Sequence, residues 1–323
     1  MSKVDKILFK LVIVISGLIF SKTSNSQNEL LYSSTVLGQQ FVNPSLNSLY
    51  ELPVINVVSY QQWMGKMEGA PQTMALNAYY PLGGRRSGFG AGTNVIRETI
   101  GLRVNSLYSL FASHRLKLNR YSRLTLGVSV GYQVNSFEKS GIDVPANEQV
   151  IKQLDFSKEN IFASIGVMYS YKWLHLGLSS NMLFDNEIKP DNLIPGFDAY
   201  IGGFYHLRRK KIKIMPRLAY SYYGTKEELN RYGNEVTISK SISIIDAGIS
   251  VDYKDLIRIG ASHRLDYSQL FSLDIILKKK FKIGYVYELG MGDVSEYNSQ
   301  AIRLAISLSK KRPKNKYVNR LGL

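Results

Sequence analysis

Residues 123–132 read Arg-Leu-Thr-Leu-Gly-Val-Ser-Val-Gly-Tyr and alternate strictly between two kinds of side chain. The even-numbered positions are apolar or aromatic, and the odd-numbered positions are charged, hydroxylic or glycine. Because successive side chains of a β-strand point to opposite faces, this stretch predicts a strand with one apolar face and one small, polar face. The same two-faced pattern recurs to the end of the chain and predicts an all-β fold.

Alternation of this kind marks fourteen candidate strands downstream of Pro53. Most have about 9–13 residues, close to the ~9–11 residues that a tilted strand needs to cross hydrocarbon. The predicted strands are 54–63, 73–80, 88–97, 106–118, 123–137, 160–172, 174–184, 196–207, 211–223, 242–254, 256–264, 269–278, 281–289 and 300–308.

Connection lengths distinguish a membrane barrel from a soluble β-sandwich, because both folds alternate with period two. Connections after even-numbered strands are short, as at 119–122 and 208–210, whereas most connections after odd-numbered strands are long, as at 138–159 and 224–241. Short turns on one rim and long loops on the other are typical of outer-membrane barrels. We therefore predict a closed antiparallel transmembrane β-barrel of about 14 strands, with both termini on the short-turn, periplasmic rim.

The amino terminus has the pattern of a secretory signal peptide. Three lysines precede the apolar run 11–20, and small polar residues lead up to Gln27. Because the run is shorter than the ~20 apolar residues of a spanning helix, we expect cleavage near Gln27 rather than an uncleaved anchor. The expected location is the outer membrane of a Gram-negative bacterium. The predicted organisation is a signal peptide at 1–26, an N-terminal periplasmic or plug segment at 27–52, a barrel at 53–309 and a basic periplasmic tail at 310–323.

Basic residues outnumber acidic ones and concentrate on the predicted short-turn rim. Removing residues 1–26, which carry four Lys and one Asp, lowers the formal net charge from +16 to +13. An exported protein is not expected to bind nucleic acid, so two roles remain open: contact with anionic lipid headgroups, or docking of an acidic periplasmic partner. The candidate docking residues are Arg208, Arg209, Lys210, Lys278, Lys279 and Lys280.

The sequence contains no pattern that predicts catalysis or a cofactor. Cysteine is absent, and the four histidines lie on separate candidate strands without metal-ligand spacing. Ser113-His114 and Ser262-His263 are adjacent pairs, and neighbours on a strand point to opposite faces, so neither pair can act as a catalytic dyad. We predict a non-enzymatic protein with no catalytic, cofactor or metal site.

Charged residues on the polar strand faces are expected to line the barrel lumen. Two roles are open for them: a network of ion pairs that fills a narrow interior, or the lining of a conducting pore. Inward glycines and serines leave space that the N-terminal segment or a partner's segment could fill. The predicted lumen charges are Asp198, Asp246, Asp252, Asp274, Arg217, Arg258, Lys282, Glu288 and Arg303.

Several short motifs resemble those of the PorP/SprF family. They are Asn43-Pro44, Tyr60-Gln-Gln-Trp63, Gly69-Ala-Pro71 and Tyr80-Pro-Leu82, followed by a glycine-rich strand and the block 108–132. The candidates for family-specific structure are Asn43, Pro44, Trp63, Gly69 and Pro71. The alternative is that Trp63 is an interfacial membrane anchor and that Pro71 simply forms a loop.

This resemblance implies a non-enzymatic outer-membrane barrel of the type IX secretion and gliding machinery. The implied partners are outer-membrane lipid, periplasmic secretion-ring or peptidoglycan-associated proteins, and the C-terminal domain of a secreted adhesin. Its implied role is to support the export or surface attachment of that adhesin or of other cargo. A general outer-membrane porin or solute channel is the alternative function, and a soluble exported β-protein is a third.

Overall fold

The computed structural model describes most of the chain between residues 34 and 308. The described ranges are 34–50, 52–65, 68–82, 88–137, 157–185, 193–207, 211–231, 234–278, 280–292 and 295–308. The predicted signal peptide at 1–26 and the predicted tail at 310–323 lie outside these ranges.

Antiparallel β-structure accounts for nearly all of the described chain. The strands are β1 (Val54–Gln61), β2 (Gln72–Pro81), β3 (Phe89–Ile100), β4 (Arg103–Lys117), β5 (Ser122–Phe137), β6 (Ser157–Tyr171), β7 (Leu174–Asp185), β8 (Leu193–Gly203), β9 (Tyr205–Leu207), β10 (Ile212–Arg231), β11 (Asn234–Tyr253), β12 (Ile257–Arg264), β13 (Ser268–Leu277), β14 (Phe281–Gly290) and β15 (Ser299–Ser307). β8 and β9 both pair with β10 and are two parts of one barrel strand, so the barrel wall has fourteen strands.

The sheet closes on itself through its first and last strands. β1 pairs with β15 along its whole length, from Val54 opposite Ser307 to Gln61 opposite Gln300, and its other edge pairs with β2. Closure leaves no open sheet edge inside the membrane, where unpaired backbone groups would be costly. The predicted closed antiparallel barrel of fourteen strands is confirmed.

The apolar strand faces point outward. On β5 the exposed fractions of Leu126, Val128 and Val130 are 45%, 56% and 60%, whereas inward-facing Thr125 and Ser129 are 0% and 9% exposed. A β-sandwich would bury these apolar side chains between two sheets, so the soluble alternative is excluded. Apolar side chains outside and small polar ones inside are the arrangement of a transmembrane β-barrel.

Two rims follow from the strand connections. The turns 118–121, 172–173, 254–256 and 278–280 lie on one end of the barrel, which we call the short-turn rim. The opposite end, the long-loop rim, is where β5 leads to β6 and β7 leads to β8. On the long-loop rim, the connection between β3 and β4 is shorter than expected and consists of Gly101 and Leu102.

The break between β8 and β9 has a local cause. Phe204 separates the two parts and lies opposite the segment of β10 that contains Pro216. Proline has no N–H to donate to a ladder and interrupts strands for that reason. Pairing continues on both sides of the break, with Gly202 opposite Arg217 and Tyr205 opposite Ile214, so the barrel wall keeps its order.

The predicted loop at 224–241 is wrong. Residues 224–231 and 234–241 extend β10 and β11 into a hairpin in which Gly224 pairs with Ser241 and Arg231 pairs with Asn234. β8 pairs with β10 only as far as Tyr223, so this extension is a two-stranded ribbon beyond the barrel wall. Outside the bilayer a strand needs no apolar face, and the alternation used to predict strands is therefore missing there.

Short helical segments precede β1. They are the helix α1 (Ser34–Leu37) and two 3₁₀ turns at Gln39–Phe41 and Pro44–Leu49. Within the described ranges, no helix has the length and apolarity needed to cross a membrane.

Candidate functional site

Residues 34–50, which we call the plug, lie inside the barrel. Every residue from Gln39 to Tyr50 is buried. Phe41 belongs to one buried apolar cluster with Tyr60 at the long-loop end of β1, whereas Tyr50 packs with Tyr79 near the short-turn end of β2. The chain therefore runs down the lumen from the long-loop side and enters β1 at the short-turn rim. The prediction that both termini lie on the short-turn rim holds for the start of β1 and the end of β15, whereas the described segment before β1 begins at the opposite end.

Three inward glycines on adjacent strands form a cradle for the plug. A Cβ built on Gly127 would lie 2.4 Å from the backbone nitrogen of Ser45, and one on Gly166 would lie 2.2 Å from Oδ1 of Asn43. Gly127 and Gly166 are directly opposite each other in the β5–β6 ladder. Gly177 on β7 borders the same turn, with 3.4 Å between its built Cβ and Nδ2 of Asn43. A Cβ would overlap the plug at Gly127 and Gly166, so glycine is needed at these two positions, whereas the distance at Gly177 is an ordinary contact.

Asn43 fixes the turn that enters this cradle. Its Oδ1 accepts hydrogen bonds from the backbone N–H of Ser45 at 3.0 Å and from the Ser45 hydroxyl at 2.6 Å. Its Nδ2 donates to the carbonyl oxygen of Leu178 on the barrel wall at 3.2 Å. Asn43 thus caps the 3₁₀ turn that begins at Pro44 and ties that turn to β7.

A row of asparagines anchors the other side of the plug. Asn56, Asn77 and Asn94 are directly opposite one another on β1, β2 and β3. Nδ2 of Asn77 donates to Oδ1 of Asn94 at 2.7 Å and to Oδ1 of Asn47 in the plug at 3.0 Å, while Asn56 donates to Asn77 at 3.0 Å. Asn47 in turn donates to the carbonyl oxygen of Gln40 at 3.1 Å. Neutral amides supply both donors and acceptors, so these buried groups satisfy each other without a net charge.

Apolar contacts and one cation complete the seat of the plug. Leu46 and Leu49 pack against Met168 of β6. Nη1 of Arg115 donates to the carbonyl oxygen of Ser48 at 3.0 Å. Burial raises the pKa of the Tyr50 hydroxyl to about 12.

The lumen-facing side of β10–β15 is chemically different, and we call it the charged wall. Ion pairs join Asp252 to Arg258 at 3.3 Å, Asp274 to Arg303 at 2.8 Å and Glu288 to Arg264 at 2.9 Å. A longer contact of 3.9 Å joins Arg217 to Asp246. We call the lumen-facing side of β1–β7, which holds the plug, the plug-facing wall.

Two buried carboxylates collect several donors each. Glu288 accepts hydrogen bonds from Tyr60, Arg264 and Ser268, which connects β14 to β1, β12 and β13. Asp198 on β8 has neutral donors instead, and these are Asn181 at 2.6 Å, Ser221 at 2.6 Å and Tyr223 at 2.8 Å. All nine predicted lumen charges face inward, and six of them form three pairs with one another, which is the arrangement of the ion-pair alternative.

The residues of the predicted family motif fall into two separate places. Asn43 and Pro44 are in the plug, whereas Trp63, Gly69 and Pro71 lie at the long-loop rim. The carbonyl oxygen of Gly69 accepts from the N–H of Gly101 at 2.7 Å, and that of Pro71 accepts from the N–H of Gln62 at 2.9 Å.

Trp63 is not the lipid-facing anchor considered as an alternative. Its side chain is only 9% exposed and packs against Tyr297 with 5.6 Å between ring centroids. Its backbone N–H donates to the Ser299 hydroxyl at 3.3 Å. Trp63 therefore joins the end of β1 to the segment that precedes β15.

The predicted basic docking residues are described only in part. Lys278 and Lys280 lie in the turn between β13 and β14, where the N–H of Lys280 donates to the carbonyl oxygen of Leu277 at 3.0 Å. Arg208, Arg209, Lys210 and Lys279 lie outside the described residues. The structure thus places two of the six candidate cations on the short-turn rim.

The asparagine row and the glycine cradle were not predicted as sites. Asn56, Asn77 and Asn94 each occupy an inward position on one of the first three strands, and that shared phase is the signal that could have found them. Ser113 is buried while His114 lies on the other face of β4, as expected for strand neighbours. In the described ranges, no cluster of three or more His, Asp or Glu side chains could hold a metal ion.

Comparison with known structures finds other β-barrels at low identity. The KdgM porin is 12% identical with a TM-score of 0.40, over 79% of this chain and 99% of that chain. A Pseudomonas aeruginosa FadL homologue is 10% identical with a TM-score of 0.46, over 81% of this chain and 91% of that chain. The ferric enterobactin receptor PfeA of the same organism is 12% identical with a TM-score of 0.34, over 73% of this chain and only 43% of that chain.

Sequence comparison is more specific. None of the curated proteins matches the chain. A family model does match, over residues 24–308, which include all the strands and the plug. The chain therefore belongs to the PorP/SprF family of type IX secretion system membrane proteins.

Proposed function

We propose that this protein is a non-enzymatic scaffold of the type IX secretion and gliding machinery. It resides in the outer membrane of a Gram-negative bacterium after signal-peptide cleavage near Gln27, with the short-turn rim in the periplasm. There it supports the export or surface attachment of a partner adhesin or other cargo. Family membership supports the secretion role, and the plugged lumen supports a scaffold over a porin.

The seat of the plug is the observation that carries this proposal. A segment meant to leave the lumen readily would not need wall glycines at 127 and 166 that leave room for its turn, or an asparagine row that bonds to its Asn47. Neutral hydrogen bonds and close packing hold a fixed structural element. The plug is therefore a fixed part of the barrel's core. We infer that a barrel filled in this way binds other proteins rather than conducting solutes.

Planar-bilayer recording tests the scaffold against the porin. The purified protein is expected to give no steady open-pore current. A variant lacking residues 34–49 is expected to conduct, and it is the positive control that shows that an open pore can be detected. Steady current through the intact protein alone would favour the porin and contradict the scaffold.

Mild cross-linking in cells tests the partners. We expect the C-terminal domain of a surface adhesin, together with periplasmic secretion-ring or peptidoglycan-associated proteins, to co-purify with the barrel. Recovery of outer-membrane lipid alone, with cargo secretion unchanged in a deletion strain, would contradict the secretion role.

The basic rim is the proposed docking surface for the periplasmic partner. The double variant Lys278→Glu and Lys280→Glu is expected to lower recovery of that partner severalfold, because like charges across an interface repel. The neutral pair Lys278→Gln and Lys280→Gln serves as the control for size and should have a smaller effect. Equal recovery with all three proteins would remove these two lysines from the interface.

A further inference from the structure

Two neighbouring turns on the short-turn rim build a cluster of rings and cations. The turn 118–121 joins β4 to β5, and the turn 172–173 joins β6 to β7. Oδ1 of Asn119 accepts from the N–H groups of Tyr121 and Ser122, both at 2.8 Å, which fixes the first turn. The N–H of Lys172 donates to the carbonyl oxygen of Tyr121 at 3.0 Å and locks the second turn onto the first.

Lys172 is held between two tyrosine rings. Its Nζ lies 5.1 Å from the ring centroid of Tyr121 and 5.1 Å from that of Tyr171. Cζ of Arg120 lies 5.8 Å from the Tyr121 centroid. A cation–π contact holds the ammonium against the ring face. The N–H groups that point away from the ring stay available for hydrogen bonding. Two exposed cations thus share contact with one ring, that of Tyr121.

The cluster borders the apolar outer face of the barrel, and its two turns carry no acidic residue. Tyr121, Tyr171 and Trp173 are 47%, 41% and 46% exposed, and the outward apolar face of β5 begins directly above them. Neither turn contains an aspartate or a glutamate. An apolar band that ends in aromatic rings and exposed cations matches the chemistry of a phospholipid, in which acyl chains lie next to a phosphate.

We propose that Arg120 and Lys172 bind the phosphate of a phospholipid headgroup in the leaflet at the short-turn rim, with Tyr121 and Tyr171 as the walls of the site. This site does not depend on the secretion role. Lys254 provides the internal comparison, since its Nζ lies 4.8 Å from the centroid of one ring only, that of Tyr253, and an acid, Asp255, follows it in sequence.

Native mass spectrometry of the full chain in detergent with added phosphatidylglycerol tests the site. Each cation near a membrane surface contributes enough that Lys172→Gln is expected to weaken lipid binding roughly fivefold. Tyr121→Leu with Tyr171→Leu keeps the apolar contact and removes the ring faces, so it should weaken binding similarly. Lys254→Gln, the matched control, should change binding less than about twofold.

The outcomes separate a lipid site from other sources of phosphate. Unchanged lipid retention by Lys172→Gln, in protein that keeps its heat-modifiable mobility, would overturn the proposal. Loss of lipid when millimolar inorganic phosphate is added to the wild type would also overturn it, because the site would then take free phosphate. Retention in phosphate together with loss in Lys172→Gln supports the headgroup.

Discussion

The two walls of the lumen fill space in opposite ways. The plug-facing wall uses small residues and neutral amides, so that a second piece of backbone can lie against it at contact distance. The charged wall uses long side chains that pair with one another across strands. Backbone needs close approach and balanced donors and acceptors, whereas a buried ion needs a partner of opposite charge. We therefore expect each wall to tolerate a different class of substitution.

The largest effect is expected when one partner of a buried ion pair is removed from the charged wall. Glu288→Ala leaves Arg264 buried without its carboxylate, which typically costs about 3–5 kcal/mol of unfolding free energy. Urea unfolding followed by tryptophan fluorescence measures this loss. The double variant Glu288→Leu with Arg264→Met should recover much of it, because no buried charge remains. Equal losses in the single and double variants would contradict the pairing.

A charge on the lipid face provides a reference outside both walls. Leu126→Arg at mid-strand is expected to cost about 2–4 kcal/mol and to impair insertion. Folded yield and heat-modifiable mobility report the result, and Leu126→Met is the control for a change of shape without charge. An unchanged yield for the arginine variant would mean that Leu126 does not face lipid.

Added volume in the glycine cradle is expected to have the next largest effect. In Gly127→Ala the new methyl meets plug backbone atoms at 2.4–2.6 Å, and overpacking of this kind costs about 1–3 kcal/mol. Gly177→Ala is the matched control, because its methyl would be 3.4 Å from the nearest plug atom. Bilayer recording should show intermittent current for Gly127→Ala only. Similar stability of the two variants would show that the plug does not press on the cradle.

The smallest effect is expected from the cap of the plug. Asn43→Ala removes the cap of the 3₁₀ turn and its bond to Leu178, which should cost about 1 kcal/mol. The urea midpoint measures it, and Asn43→Asp separates the two roles since aspartate keeps the acceptor and lacks the donor. If Asn43→Ala abolished folded protein, this prediction would be contradicted. The plug would then contribute more to stability than the ion pairs of the charged wall.

Much of the barrel could be predicted from sequence because lipid imposes a strict pattern. Strand number, closure and facing all follow from the outward apolar side chains of segments such as 123–132. The ribbon at 224–241 and the break at Phe204 were missed, since the first lies beyond the barrel wall and the second depends on what lies opposite Pro216.

For the lumen, the sequence could predict which residue types face inward but not how they are arranged. Inward charges and inward glycines were evident from strand phase, and so was the possibility of an N-terminal plug. Which wall would hold the plug depends on residues far apart in sequence, because Asn43 contacts Gly166 and Asn47 contacts Asn77 only in the folded barrel. Register and closure, rather than local preference, bring those residues together.

The position of the plug next to β1 constrains how the protein can be made. β1 is the strand that completes the ring with β15, so the seam between residues 54 and 307 closes around the segment that precedes it. We expect the leading residues to be laid against the wall before this last ladder forms, because they then need not be threaded through a closed barrel. A bulky fusion at the mature amino terminus would have to be enclosed together with these residues as the ring closes and should slow assembly, whereas the same fusion at the carboxyl end should not.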